Sequence, residues 1–215
     1  MTTPQRDTLG IDPRTGMAAD PKEGERLVDA WLGAVDFGQI PIVRVAARLA
    51  EYAHRDQRRK YTFEPYIMHP MEVATMVAPF ASYEMIAAAL LHDTIEDTDL
   101  PHELIADATS ELVLQYVMEL SDVSTPEDGN RAARKAKDRE HTAGISGHAQ
   151  TIKLADLISN TQSIVARDPK FAAVYMVEKR ELLPVLRRGS RPLFDKAQGL
   201  VDDYFKAVAT TGGVA

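Results

Sequence analysis

Apolar positions recur three and four residues apart along most of the chain, the spacing of one face of an α-helix. Leu27, Val28, Trp31, Leu32 and Val35 set this period over residues 21–39, and Gly38 and Pro41 interrupt it. Val43, Val45, Ala46, Leu49 and Ala50 resume it over residues 42–56. The string Glu64-Pro65-Tyr66-Ile67-Met68-His69-Pro70 is expected to be extended or turn-like, because each proline disfavours helix at the residue before it. Pro70 suits the first turn of a helix reaching about Val77, with His69 at its entry. Ser82 is placed to cap a helix over residues 82–97. Pro101 starts another, and Leu112, Val113, Tyr116, Val117 and Leu120 define one over residues 109–120. Residues 121–130 read as a loop, 131–141 as a basic helix that ends in a break over 144–147, and 149–166 as a mostly apolar helix. Residues 169–186 form a helix with Pro184 near its end, and 192–209 a final amphipathic one. No alternating strand pattern and no internal repeat stand out. The pattern predicts an all-α helical bundle of about nine or ten helices.

Residues 1–20 are polar, with Pro4, Gly10, Pro13 and Gly16, and read as a mobile arm. Residues 21–209 read as a single helical domain and residues 210–215 as a frayed end. A hydrophobic fraction of 45% leaves room for a sizeable core. The absence of cysteine rules out disulfides and thiolate ligands, so any metal must use imidazole and oxygen. The N-terminus has no apolar segment of the signal-peptide kind, and no apolar run approaches the roughly 18 residues of a membrane helix. A cytoplasmic protein with no membrane partner is expected. The formal charge of −7 argues against a nucleic-acid partner but leaves room for a small anionic substrate met by a local basic lining.

Candidate chemistry concentrates in the stretch Ala87-Ala88-Ala89-Leu90-Leu91-His92-Asp93-Thr94-Ile95-Glu96-Asp97-Thr98. An apolar run ends there in an imidazole and three carboxylates. On a helix His92 lies below Glu96 and Asp93 below Asp97. Carboxylates next to a buried segment are costly unless they are paired or bind a cation. The bland alternative is a solvated acidic helix end. His69, at a helix entry, and Asp156, set among Ile152, Leu154, Ala155 and Leu157, are further candidates, with Asn160 one turn after Asp156. Together His69, His92, Asp93 and Asp156 form a His/carboxylate set suited to Mn, Fe, Co, Ni or Zn. On the bland view the basic run His54-Arg55-Asp56-Gln57-Arg58-Arg59-Lys60 is a solvated helix end, where cations also suit the helix dipole.

In this order the motifs resemble those of the HD-domain metal-dependent phosphohydrolases. More narrowly they are similar to the hydrolase domain of the RelA/SpoT alarmone enzymes and their stand-alone small relatives. The resemblance rests on Gln57-Arg58-Arg59-Lys60 before Pro65-Tyr66-Ile67-Met68-His69-Pro70, on the HD-x-x-ED string at His92-Asp93 and Glu96-Asp97, and on Lys153-Leu154-Ala155-Asp156 with Asn160. It covers about residues 42–186. It implies an HD-type bundle and one divalent metal, manganese the usual ion, held by His69, His92, Asp93 and Asp156. Glu96 and Asp97 would handle the attacking water and its protons. Arg59, Lys60 and Tyr66 would line the nucleotide side, Asn160 would contact the nucleoside, and Ser163 would lie near the base. Lys153 belongs to the same substrate side, and Arg134 and Lys135 are candidates for phosphate contacts. The implied reaction is hydrolysis of the 3′-pyrophosphate of ppGpp or pppGpp to GDP or GTP and pyrophosphate.

Two departures fall near the expected base pocket. The family's loop before the Pro-Tyr-Ile string normally contains glycine, whereas this chain has Tyr61-Thr62-Phe63-Glu64. Asn160 is followed by Thr161-Gln162, where an arginine often stands two residues on. Relatives acting on adenosine alarmones or on the 2′-phosphate of NADPH therefore remain alternatives, as does a general HD nucleotide phosphohydrolase. A non-catalytic nucleotide-binding module is disfavoured, because binding alone would not require Glu96 and Asp97.

Overall fold

Helices form where the apolar period predicts them. The computed structural model of the chain describes residues 5–6 and 11–210. The rest of the expected arm and the expected frayed end after residue 210 lie outside the described residues. Two compact units divide the chain, Met1–Ser121 and Asp122–Ala215.

The first unit holds α1 (Glu23–Ala34), α2 (Pro41–His54), α3 (Met68–Val77), α4 (Tyr83–Leu91), α5 (Thr94–Asp97), α6 (His102–Ala108) and α7 (Glu111–Leu120). Local chemistry sets several boundaries. Ser82 and Ser110 accept from the backbone N–H groups of Met85 and Val113, satisfying donors that the first helical turn leaves open. After α1 the chain turns at Gly38, where a Cβ would lie 2.0 Å from the Leu32 carbonyl oxygen, so only glycine fits. The core is built around α4. Every residue of α4 from Met85 to Leu91 is buried, and α2, α3 and α7 pack against it. A helix apolar all round requires such cover. Each large aliphatic side chain so buried, Leu90 and Leu91 among them, contributes about 1.5–3 kcal/mol.

The second unit holds α8 (Arg131–Gly144), α9 (Gly147–Arg167), α10 (Pro169–Leu182) and α11 (Arg191–Thr210). Asn130, Ser146 and Asp168 cap the first three of these by accepting from Ala133, Ala149 and Phe171. α10 and α11 pack against α9, whose Ala149, Ile152, Leu154, Ile158 and Ile164 are buried. α10 ends at Leu182, short of the expected residue 186, and Pro184 lies in a short 3-10 turn at Leu183–Val185 that follows it.

The eleven α-helical segments among the described residues differ from the expected pattern in three places. The helix expected over residues 82–97 divides into α4 and α5. The Thr94 hydroxyl and the His92 Nδ1 bond back to the carbonyls of Leu91 and Ala89, so side chains intervene where the regular ladder lapses. Short strands also occur. β1 (Gln5–Arg6) pairs antiparallel with β4 (Gln57–Arg58), and β2 (Ile11–Asp12) with β3 (Met17–Ala18). Two residues are too few to display a period-2 alternation, which is why no pattern announced them. Finally, the basic run is not a solvated helix end. It runs through β4, and its His54 and Gln57 are buried.

Candidate active site

Three elements of the first unit converge on one carboxylate. His69 enters at the start of α3, its backbone N–H held by the Tyr66 carbonyl at 2.9 Å. His92 and Asp93 occupy the turn between α4 and α5. His69 and His92 direct Nε2 at Asp93 Oδ2 over 3.6 and 3.1 Å, and the Tyr66 hydroxyl donates to the same oxygen at 2.6 Å. His69, His92 and Asp93 are buried, Asp93 to 4% exposure, and Tyr66 is half-buried. The His92 Nδ1 lies 2.8 Å from the Ala89 carbonyl oxygen, which can only accept, so Nδ1 carries a proton and Nε2 is the nitrogen turned toward Asp93. The rings of Tyr66, His69 and His92 follow one another at centroid distances of 5.8 and 5.2 Å.

Glu96 and Asp97 lie half-buried on α5. Burial, and then the neighbouring charges of Asp93 and Glu96, push the Asp97 carboxyl up to about 8. His54, nine-tenths buried or more, stacks on Tyr66 with ring centroids 4.7 Å apart, and burial pulls its imidazole down to about 4. Of the expected substrate side, Arg59 approaches Glu72 at 3.9 Å and Lys60 sits over the Tyr61 ring. The loop between them and Tyr66 is tight: the Arg59 N–H donates to the Glu64 carbonyl and the Phe63 N–H to the Arg59 carbonyl, each at 2.9 Å. Phe63 adopts φ 58°, the left-handed region that favours glycine. A non-glycine residue therefore holds this conformation in the loop where the family normally carries a glycine.

In the second unit, α9 carries Lys153, Asp156, Asn160 and Ser163. Asn160 Nδ2 donates to Asp156 Oδ1 at 2.6 Å, fixing a carboxylate that is 7% exposed. Lys135 Nζ donates to Asp122 Oδ2 at 2.6 Å. Although burial raises the Asp122 carboxyl, the charges of Lys153 and Lys135 outweigh it and hold it at about 2. Ser163 donates to the Asn160 carbonyl, whereas Arg134 donates to the Gly129 carbonyl. Two neighbours had no signal in the pattern. Tyr175 is buried, and burial followed by the Asp156 charge raises its phenol. Lys179 lies over the Tyr175 ring at 4.7 Å, and burial together with the Lys153 charge lowers it to about 8. Its flanking Glu178 and Arg180 make it look like one more solvated cation in the sequence.

The family model for the HD domain matches residues 46–174, more than half of the chain. The chain belongs to the HD-domain family. Within that family it is 33% identical over 133 residues to the guanosine-3′,5′-bis(diphosphate) 3′-pyrophosphohydrolase MESH1 of Xenopus tropicalis, over 60% of this chain and 73% of the relative. It is 36% identical over 116 residues to the zebrafish MESH1, covering 52% of this chain and 62% of the relative. The enzyme of the same activity name from Aquifex aeolicus is 32% identical over 130 residues, 60% of this chain but only 18% of that longer protein. A solved structure of a metazoan ortholog of SpoT, described as hydrolysing ppGpp and acting in starvation responses, superposes with a TM-score of 0.68 at 27% identity. It covers 76% of this chain and 95% of its own. No helix among the described residues is long and apolar enough to cross a membrane.

Proposed function

We propose that this HD-domain protein is a divalent-metal-dependent hydrolase that removes the 3′-pyrophosphate from ppGpp or pppGpp. The observation that carries the reading is the convergence of two imidazole Nε2 atoms and the Tyr66 hydroxyl on Asp93. Relatives with this activity in their names support it. With its proton on Nδ1, His92 turns a lone pair at the Asp93 carboxylate, an arrangement relieved by a second ring proton or by a cation, and buried imidazole with carboxylate is a donor set for a borderline divalent metal. The residues therefore fit the ion that the family implies. His69, His92, Asp93 and Asp156 are the proposed ligands, as the family resemblance implies, and manganese is the proposed ion. When bound, such an ion lowers the pKa of a coordinated water and offsets phosphate charge.

The chain's own residues supply the rest. The Tyr66 hydroxyl fixes the Asp93 carboxylate, and the Ala89 carbonyl fixes the His92 ring. Glu96 takes the proton of the attacking water as general base, with Asp97 beside it as a proton store. Water adds to the phosphorus attached to the 3′ oxygen, the bond to that oxygen breaks, and the 3′ oxygen receives a proton. The products are GDP or GTP and pyrophosphate. Arg59, Lys60, Lys135 and Lys153 are proposed to meet the phosphates, with Arg134 on the same side, since charge-assisted bonds are the strong ones. The Asn160 amide donates to Asp156, which leaves its oxygen to accept from the nucleoside, with Ser163 proposed near the base. A nucleotide substrate of this kind points to the cytoplasm.

Product analysis with Mn²⁺ on ppGpp, pppApp, NADPH and ordinary nucleotides tests the proposal. Pyrophosphate and GDP from ppGpp are expected. Equal rates on ppGpp and pppApp would withdraw the guanine preference and keep the reaction class. Orthophosphate from NADPH or a simple nucleotide, with no turnover of either alarmone, would overturn the class.

A further inference from the structure

Gln57 makes three bonds that join two parts of the site. Its side-chain Nε2 donates to the Asp97 carbonyl at 2.7 Å. Its Oε1 lies 2.7 Å from His54 Nδ1. Its own carbonyl accepts from the Tyr66 N–H at 3.0 Å. The geometry settles every proton. A carbonyl can only accept, so the amide nitrogen of Gln57 faces Asp97 and the amide oxygen faces His54. His54 must then carry its proton on Nδ1. Both side chains are buried, His54 to 1% and Gln57 to 4% exposure.

The element held in this way is α5, a single turn, which is too short to be stable by its own hydrogen bonds. It carries Glu96 and Asp97. The segment on the other side of Gln57 carries Tyr66 and His69. We infer that His54 and Gln57 are positioning residues for the hydrolysis, setting the Glu96-Asp97 turn against the Tyr66–His69 segment through the hydrogen bond to the Asp97 carbonyl. This rests on the function proposed above. Neither residue touches substrate. Their contribution is placement, and a misplacement of about 1 Å at a reacting group can cost about 10²-fold in rate.

The two imidazole nitrogens can be tested separately. Asparagine places an amide N–H near the Nδ1 position and glutamine places one near Nε2. His54→Asn should therefore keep the bond to Gln57, and His54→Gln should lose it. With manganese-loaded protein and ppGpp, His54→Gln and Gln57→Leu are expected to lower kcat by about tenfold or more, with KM within about twofold and bound manganese unchanged. His54→Asn is expected to restore kcat to within about threefold of wild type. Gln57→Glu is a second variant that retains an acceptor for His54 and presents a carboxylate oxygen to the Asp97 carbonyl, and kcat should fall again. Thermal melts identify any variant that does not fold, and the remaining variants then decide. Equal losses in His54→Asn and His54→Gln, unchanged kcat in the folded Gln57 variants, or a loss traced to metal content or KM would overturn the inference. Failure of the wild type on ppGpp would refute the proposed substrate instead, and the same variants would be compared on whichever nucleotide the wild type hydrolyses.

Discussion

Asp97 and Asp122 are the same residue type in opposite electrostatic settings. Asp97, in the first unit, sits beside Asp93 and Glu96, and burial with those charges raises it to about 8. Asp122, in the second, pays a burial cost too, yet Lys153 and Lys135 hold it at about 2. The two regions differ in what answers the carboxylates. In the second unit lysine side chains do so. In the first, two imidazoles and the Tyr66 hydroxyl face the Asp93 carboxylate, a donor set suited to a divalent cation. Under the proposed function, three of the four proposed metal ligands lie in the first region, while the second adds Asp156 and the lysines proposed to meet an anionic substrate.

Removing the carboxylate at the centre of the first region is the strongest way to break this contrast. Asp93→Ala should abolish both metal retention and turnover, as read by elemental analysis and a pyrophosphate assay. Full occupancy with activity retained would refute Asp93 as a ligand. Glu96→Gln should lower kcat by about 10²-fold while metal content persists, because it removes a general base and no ligand. Turnover near wild type would remove Glu96 from that role.

The second region is expected to respond in binding instead. Lys153→Met should raise the KM for ppGpp by about tenfold, the worth of one charge-assisted hydrogen bond, with a smaller effect on kcat. A change confined to kcat would move Lys153 to the chemical step. Arg59→Lys sharpens the same point. Lysine keeps the charge but loses the planar fork, so a KM above wild type would indicate stacking or bidentate phosphate contact.

The smallest effect is in stability against pH. The Asp97 carboxyl ionises near 3.8 in the unfolded chain and near 8 in the folded metal-free protein. Between those values the folded state binds more protons, so this contribution to stability is present at acid pH and is lost as pH rises toward 8. Metal-free protein should therefore show a Tm decreasing over that range, and Asp97→Asn or added Mn²⁺ should flatten the slope. His54 acts in the opposite sense. Its folded value of about 4 lies below the ordinary 6.5, so its contribution is lost as pH falls through that window.

Much of this was legible in the sequence. Ser82, Pro184 and the apolar run of α4 mark boundaries through local chemistry, so the helices can be read from one dimension. His69, His92 and Asp93 could be picked out because their motifs carry distinctive residue types. The break at His92-Asp93 could not, since it depends on a histidine ring and a threonine hydroxyl bonding back to carbonyls. The roles of His54 and Gln57 were hidden for a different reason. They lie in a run rich in charged residues, and only the fold shows that the end of α2 buries His54 and β4 buries Gln57. Lys179 joins Lys153 and Asp156 from a different helix, a proximity that no spacing within α10 encodes.

The most direct test is the turnover of ppGpp by metal-stripped protein before and after Mn²⁺ is restored. The account predicts no hydrolysis beforehand, and GDP with pyrophosphate appearing as about one equivalent of the ion is bound. Equal pyrophosphate release in the stripped and restored protein would contradict it.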